Sequence, residues 1–218
     1  MALKYVRFAV WGLLLIALAV LAFNMSSKPE EDAKSDRPAA LPLTPKGKVR
    51  LFDLMAHTGE RLTSDDLNGK YRLMYFGYTF CPDKCPLDLA KMALTLTKLE
   101  DAGVPLDTLQ PLFITIDPER DTVEAMAETV GLYHERIVGL TGTAEEIETV
   151  ARDFGVYYRK LEQEGIDSYL MDHMVAIFLY SPDGRYMTMF TPTESASQMV
   201  ATLTPLLTEN NQVSEEGP

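Results

Sequence analysis

The chain holds only two cysteines, and both lie in the pentapeptide Cys81-Pro82-Asp83-Lys84-Cys85. Two sulfurs this close can do two kinds of chemistry: exchange electrons as a disulfide, or hold a soft metal ion. The apolar segment Tyr71-Arg72-Leu73-Met74-Tyr75-Phe76-Gly77-Tyr78 precedes them and reads as a buried strand. Pro86 fits the first helical position, where its missing N–H costs nothing. Cys85 is therefore expected at or near a helix N-cap, with Cys81 in the preceding turn. A helix N-terminus stabilises negative charge and favours thiolate over thiol. One irregular turn brings two Cα atoms within roughly 4.4–6.8 Å, as a disulfide requires, and equally aims both sulfurs at one ion. A purely structural disulfide is the plainer alternative, but so short a loop constrains the unfolded chain little. Thioredoxin-type oxidoreductases space their cysteines as Cys-x-x-Cys. Here three residues intervene, which widens the reach of the pair and favours metal capture without excluding redox chemistry.

Two thiolates need further ligands, and the chain offers three histidines: His57, His134 and His173. His57 lies in the polar turn His57-Thr58-Gly59-Glu60. His134 stands near a helix end, where a cation is favoured by the dipole in any case. Both are expected at the surface. His173 follows Asp172 and precedes the apolar run Met174 to Tyr180, so it stands at the entrance of a strand, over the end of a sheet. A hydrogen-bonded loop histidine and a metal ligand remain equally open there. If Cys81, Cys85 and His173 converge, two thiolates and one imidazole suit Cu(I), which tolerates low coordination number. Zinc wants a fourth ligand, and iron–sulfur clusters want more cysteines. Asp172 or a nearby backbone carbonyl is the candidate to orient the imidazole.

The elements that must position these groups alternate along the chain. Strands are expected at Val49–Leu54, Leu73–Tyr78, Pro111–Ile116, Ile137–Leu140, Val156–Leu161, Met174–Tyr180 and Arg185–Phe190, the last two joined by the turn Ser181-Pro182-Asp183-Gly184. Pro86 to about Ala102 carries Leu89, Met92, Ala93, Leu96 and Leu99 on one helical face, and Gly103 stops it. Asp121-Thr122-Val123-Glu124 reads as a capping box opening a second helix. Thr143-Ala144-Glu145-Glu146 opens a third, which Gly155 ends. Ser195 to about Leu207 closes the pattern. The result is an α/β fold, a central mixed sheet with helices on both faces, of thioredoxin-like architecture.

The bulk composition narrows the function. At 218 residues, with 46% hydrophobic content, the chain has room for one substantial domain. A formal net charge of −12 argues against nucleic-acid binding and leaves small molecules, metal ions or basic protein patches as partners. Lys4 and Arg7 precede an uncharged stretch from Phe8 to Ser27, apolar through Phe23. That stretch is at the short end for a spanning helix, and a cleaved signal peptide ending near Val20-Leu21-Ala22 competes with it. The even apolar run favours the uncleaved anchor. Either way the basic residues stay in the cytoplasm and the cysteines work outside it. Asn24 to about Lys46 is rich in Ser, Lys, Glu, Asp and Pro and reads as a tether.

Three ordered motifs together resemble one family. Tyr75-Phe76-Gly77-Tyr78-Thr79-Phe80-Cys81-Pro82-Asp83-Lys84-Cys85-Pro86, then Ile116-Asp117-Pro118-Glu119-Arg120-Asp121-Thr122, then Tyr169-Leu170-Met171-Asp172-His173 closely resemble the Sco/SenC proteins. Leu62 to Lys70 matches the lead-in to their first core strand, and the likeness covers roughly residues 48 to 208. The resemblance implies a membrane-anchored, thioredoxin-like protein that binds copper through Cys81, Cys85 and His173. It implies service in assembling the copper A centre of cytochrome c oxidase subunit II, with that subunit or other copper chaperones as partners. The expected layout is a cytoplasmic N-terminus at 1–7 and a transmembrane signal anchor at 8–27. A flexible linker at 28–47, a copper-binding domain at 48–208 and a disordered tail at 209–218 follow. The domain stands on the outer side of the cytoplasmic membrane. A thiol–disulfide reductase acting through Cys81 and Cys85 on the copper A client is the alternative. Lys84 departs from the family, which usually has an apolar residue there; it is either a cation lowering the thiol pKa or an exposed loop lysine. Asp117 and Arg120 either fix a strand-to-helix turn or meet a partner.

Overall fold

Strand β3 (Tyr71–Gly77) is buried along nearly its whole length, and a run of that kind must be covered on both faces. It lies inside a seven-stranded mixed sheet with β1 (Asp53–Ala56), β2 (Arg61–Thr63), β4 (Leu109–Thr115), β5 (Val138–Thr141), β8 (Ile177–Tyr180) and β9 (Tyr186–Phe190). The spatial order is β2-β1-β5-β4-β3-β8-β9. β3 and β4 run parallel, with Tyr75 opposite Phe113 and Gly77 opposite Thr115, and β4 and β5 also run parallel. β8 pairs antiparallel with β3. Two further strands, β6 (Tyr158–Glu162) and β7 (Tyr169–His173), form an antiparallel pair of their own, outside the main sheet. The structure, a computed structural model, describes residues 51–162 and 169–215. The expected anchor at 8–27 and linker at 28–47 lie outside the described residues. Among the described residues no helix is long and apolar enough to cross a membrane.

Among the described residues four α-helices complete the architecture: α1 (Lys84–Asp101), α2 (Val123–Val130), α3 (Ala144–Phe154) and α4 (Ala196–Glu215). In α1, Leu89, Met92, Leu96 and Leu99 recur at helical spacing and are wholly buried, and this face packs α1 beside α4. Each such burial contributes about 1.5–3 kcal/mol, so the helix that carries Cys85 is firmly seated. Helix α3 begins with the expected reciprocal cap between Thr143 and Glu146 and ends at Gly155, whose φ of 71° a residue with a Cβ adopts only at a cost. Phe154 at its end meets Phe52, Phe76 and Tyr180, with ring centroids 5.2–6.4 Å apart, and so fastens α3 to β3 and β8.

Several boundaries differ from expectation. Of the strand expected at Val49–Leu54, residues 49–50 lie outside the described residues; the first described strand is β1 at Asp53–Ala56, which turns through the His57–Glu60 segment into an unexpected β2. The strand expected at Met174–Tyr180 is shorter, since β8 begins only at Ile177, and an unexpected strand, β7, precedes it and ends at His173. Helix α1 starts at Lys84, which puts Cys85 inside its first turn and Pro86 one place further in; the missing proline N–H still falls among the unbonded donors of a helix start. The capping box expected from Asp121 to Glu124 is absent. Thr122 is the N-cap and accepts from the Ala125 N–H, because Asp121 is drawn inward by other partners. Helix α4 continues to Glu215, into the 209–218 stretch expected to be disordered.

Candidate metal centre

Three chain segments meet at the C-terminal ends of β3 and β4. The first is Tyr78 to Cys85. Its close approach to the sheet depends on Gly77, where a Cβ would stand 2.8 Å from Cys85 Sγ and 2.9 Å from Tyr75 Cε1. Only a glycine lets the strand and that sulfur share the space. The loop is anchored by Asp121, which is fully buried. One of its oxygens accepts from Thr79 Oγ1 (2.6 Å), and the other accepts from Thr79 N–H (3.0 Å) and Thr115 Oγ1 (2.6 Å). Burial pushes the Asp121 carboxyl upward, and these donors oppose the shift. Thr141 on β5 in turn donates to the Asp121 carbonyl at 2.7 Å. Through its carboxylate and its carbonyl, this one residue ties together the ends of β3, β4 and β5 and the start of α2.

Within this frame the two cysteines are unequal. Both are unbridged; Cys85 is 2% exposed, whereas Cys81 is half-buried. The Cys85 N–H, one of the unbonded donors of the first turn of α1, donates to Cys81 Sγ at 3.4 Å. The sulfur of Cys81 therefore takes the place of a capping side chain, and Asp83, at the N-cap, makes no side-chain cap. Hydrogen bonding from the Cys85 thiol is the largest influence holding Cys81 as thiolate, down to about 3, assisted by backbone N–H groups. The same bond, with burial, pushes the Cys85 thiol well above its ordinary value. Lys84, the first residue of α1, is exposed and pairs with Asp83 at 3.1 Å.

His173 reaches this site from β7. Its Nδ1 lies 2.9 Å from the Met174 carbonyl, and its Nε2 lies 3.8 Å from Cys85 Sγ. A carbonyl oxygen only accepts, so Nδ1 carries the ring proton and the Nε2 lone pair faces the sulfur. The rings of Tyr75 and Tyr78 meet the imidazole edge-on, with centroids 6.4 and 6.1 Å away. The orienting group is the Met174 carbonyl, one of the two expected candidates; Asp172, the other, pairs with Arg159 at 3.2 Å. His57 and His134, expected at the surface, are both partly buried: His57 accepts the Gly139 N–H, and His134 pairs with Glu100 at 3.3 Å, so each joins distant parts of the chain.

The donor set fits a soft ion in kind: two sulfurs and one imidazole nitrogen. Among the described residues no three His, Cys, Asp or Glu side chains already stand in an ion-holding arrangement. The supporting residues Tyr75, Tyr78, Gly77 and Asp121 were not foreseen as parts of the site. A glycine inside an otherwise apolar strand was the signal available for Gly77. Tyr75 Oη is buried, finds no standard hydrogen-bond partner among the described residues, and lies against Cys85.

Comparison with known proteins follows the same outline. The SCO1/SenC family model matches residues 43–208. "Protein SCO2 homolog, mitochondrial" of Bos taurus is 44% identical over 149 residues, 68% of this chain and 55% of the relative. "Protein SCO1 homolog, mitochondrial" of Homo sapiens is 37% identical over 198 residues, 91% of this chain and 64% of the relative. The chain thus spans less than two thirds of the length of these curated relatives. The crystal structure of Arabidopsis thaliana ScoI with copper bound superposes with a TM-score of 0.66 at 38% identity, covering 73% of this chain and 97% of that one.

Proposed function

Because the chain belongs to the SCO1/SenC family, we propose that it is a copper metallochaperone whose ligands are Cys81, Cys85 and His173. The observation that carries this is the imidazole of His173, its Nδ1 committed to a carbonyl and its Nε2 turned to Cys85. Copper, when bound, supplies an ion that leaves by exchange of thiolate ligands. The chain's own residues supply the rest. Gly77 lets Cys85 sit against the strand, Asp121 fixes the loop, and Cys81, the more exposed sulfur, is the ligand a client's thiol meets first. The expected client is the copper A site of cytochrome c oxidase subunit II, reached from residues 8–27 anchored in the membrane with the domain outside.

An anaerobic Cu(I) titration of the reduced full chain in detergent tests this. One copper per chain is expected, weakened by His173→Ala. Unchanged Cu(I) and Cu(II) binding in His173→Ala would sink the three-ligand site.

The inequality of the cysteines also favours a second activity, thiol–disulfide reduction. The Cys81 thiolate attacks a client disulfide and forms a mixed disulfide. Cys85 sulfur then attacks Cys81 Sγ, its proton passing to the departing client thiolate. Two electrons reach the client, and the chain leaves as the Cys81–Cys85 disulfide. This needs both cysteines and not His173, so reduction of a model disulfide by His173→Ala at the parental rate is the expected result.

A further inference from the structure

The β6–β7 pair that delivers His173 bonds to no strand of the main sheet, so side chains must hold it against the cysteine loop. Tyr169 opens β7, four residues before His173, and its hydroxyl donates to Asp117 Oδ1 at 2.7 Å. The Asp117 side chain is fully buried, and its other oxygen accepts from Arg120 Nε. Arg120 Nη1 donates to the Tyr169 carbonyl at 3.1 Å, and the guanidinium lies over the Tyr169 ring, 3.7 Å from its centroid. The same guanidinium stands 4.9 Å from the ring of Phe80 and 5.7 Å from that of Tyr78, both in the cysteine loop. Arg120 Nη2 is buried with no partner among the described residues, so the guanidinium is held by Nε, by Nη1 and by its ring contacts. The outer pair Lys160–Glu119, at 2.6 Å, is largely exposed and contributes little.

We infer that Arg120 and Tyr169, braced on Asp117, are positioning residues: they clamp the β6–β7 pair to the cysteine loop and so decide whether His173 joins the two sulfurs. This rests on His173 being a ligand only for its consequence in metal binding; the clamp itself is a property of the copper-free chain. Tyr169→Phe removes one oxygen and keeps the ring beneath Arg120. Arg120→Gln removes the charge, the fork and the stacking.

The test is made on the reduced full chain in detergent. Without metal, backbone amides of β6 and β7 are expected to exchange about tenfold faster in Tyr169→Phe, the size of one hydrogen bond to a charged group, and faster still in Arg120→Gln. Amides of β3 and α1 are expected to keep parental rates, which a general loss of stability would not allow. With Cu(II) added, imidazole nitrogen coupling in the electron spin resonance spectrum should weaken in both variants while sulfur ligation persists. Parental exchange in β6–β7 with full nitrogen coupling in both variants would overturn the clamp, and equal acceleration throughout the domain would overturn it too. Should Arg120→Gln fail to fold, Tyr169→Phe decides alone. Should His173→Ala give parental copper spectra, the ligand set fails, and the metal-free exchange rates still judge the clamp.

Discussion

Cys81 and Cys85 leave the end of a central strand, whereas His173 ends a strand that pairs with no member of the main sheet. The cysteine side is rooted in backbone and core. β3 is paired on both edges, α1 is seated by four buried apolar side chains, and Asp121 binds the loop from two directions. The histidine side is attached through side chains, chiefly the Asp117–Arg120–Tyr169 group and the Met171 N–H, which donates to Tyr78 Oη at 3.3 Å. Sulfur placement is therefore set by folding itself, and imidazole placement by contacts that can be weakened separately. If copper binds as proposed, two sulfurs would keep a foothold on the ion when the third ligand departs, which would suit an ion that must be given away.

The largest expected effect breaks the sulfur half. Cys81→Ala or Cys85→Ala should lower Cu(I) affinity by more than about 100-fold, since even the loss of an outer partner of a metal ligand costs about 10–100-fold. His173→Ala should cost less than either, because the foothold remains. Competition with a chelator of known affinity measures all three, and a His173→Ala loss equal to that of Cys85→Ala would erase the contrast between the halves. Gly77→Ala comes next. Its new Cβ would meet Cys85 Sγ at 2.8 Å, with Tyr75 and Phe113 closing the other sides. Overpacking of this kind costs about 1–3 kcal/mol, read as a lower midpoint in denaturant unfolding, with copper affinity falling alongside. An unchanged midpoint would mean that the loop is not pressed against the strand.

The same contrast explains what was legible in the sequence. The cysteine loop was readable because its chemistry is local: a buried run, two sulfurs and a proline within sixteen positions. His173 stands 88 residues after Cys85, and from its surroundings alone a ligand and a loop histidine were even; only the resemblance to a family separated them. β7 was missed because Tyr169–His173 buries Met171 alone, so the strand shows none of the alternation or continuity that marks a sheet member. Asp121 misled for a related reason. Its spacing to Glu124 is that of a capping box, but Thr79 and Thr115, distant in sequence, hold its carboxylate and leave the cap to Thr122. What local pattern could express was read, and what long-range hydrogen bonding decides was not.

A smaller effect separates the two sulfurs from each other. With the Cys85 thiol donating to it, Cys81 is held down to about 3 and stays thiolate across the range from pH 5 to 8. Its folded value lies below its unfolded one, so raising the pH through that range adds no thiolate at Cys81 in the folded chain, while an unfolded thiol gains nearly tenfold per unit. Iodoacetamide labelling followed by peptide mass measurement should therefore modify Cys81 at a rate nearly independent of pH and leave Cys85 protected until the domain opens. A Cys81 rate that climbs with pH as an ordinary thiol's does would show that the proton is not lodged on Cys85.

The smallest expected effect concerns Asp172, the immediate neighbour of His173. Metal-bound histidines are commonly oriented by a carboxylate, and removing such a partner costs about 10–100-fold in affinity. Here the imidazole proton goes to the Met174 carbonyl, and Asp172 spends its charge on Arg159 across the β6–β7 ladder, at a partly exposed position. An exposed pair of that kind contributes about 0.2–1 kcal/mol to the strand pair and nothing directly to the ring. Asp172→Asn should accordingly change copper affinity by less than about fivefold, the 1 kcal/mol limit of that range, and leave the nitrogen coupling intact. A tenfold or greater loss would mean that the carboxylate leaves Arg159 for the imidazole when the ion arrives. The histidine side would then carry its own electrostatic support, and its placement would depend less on the clamp at Tyr169 than on the charge beside it.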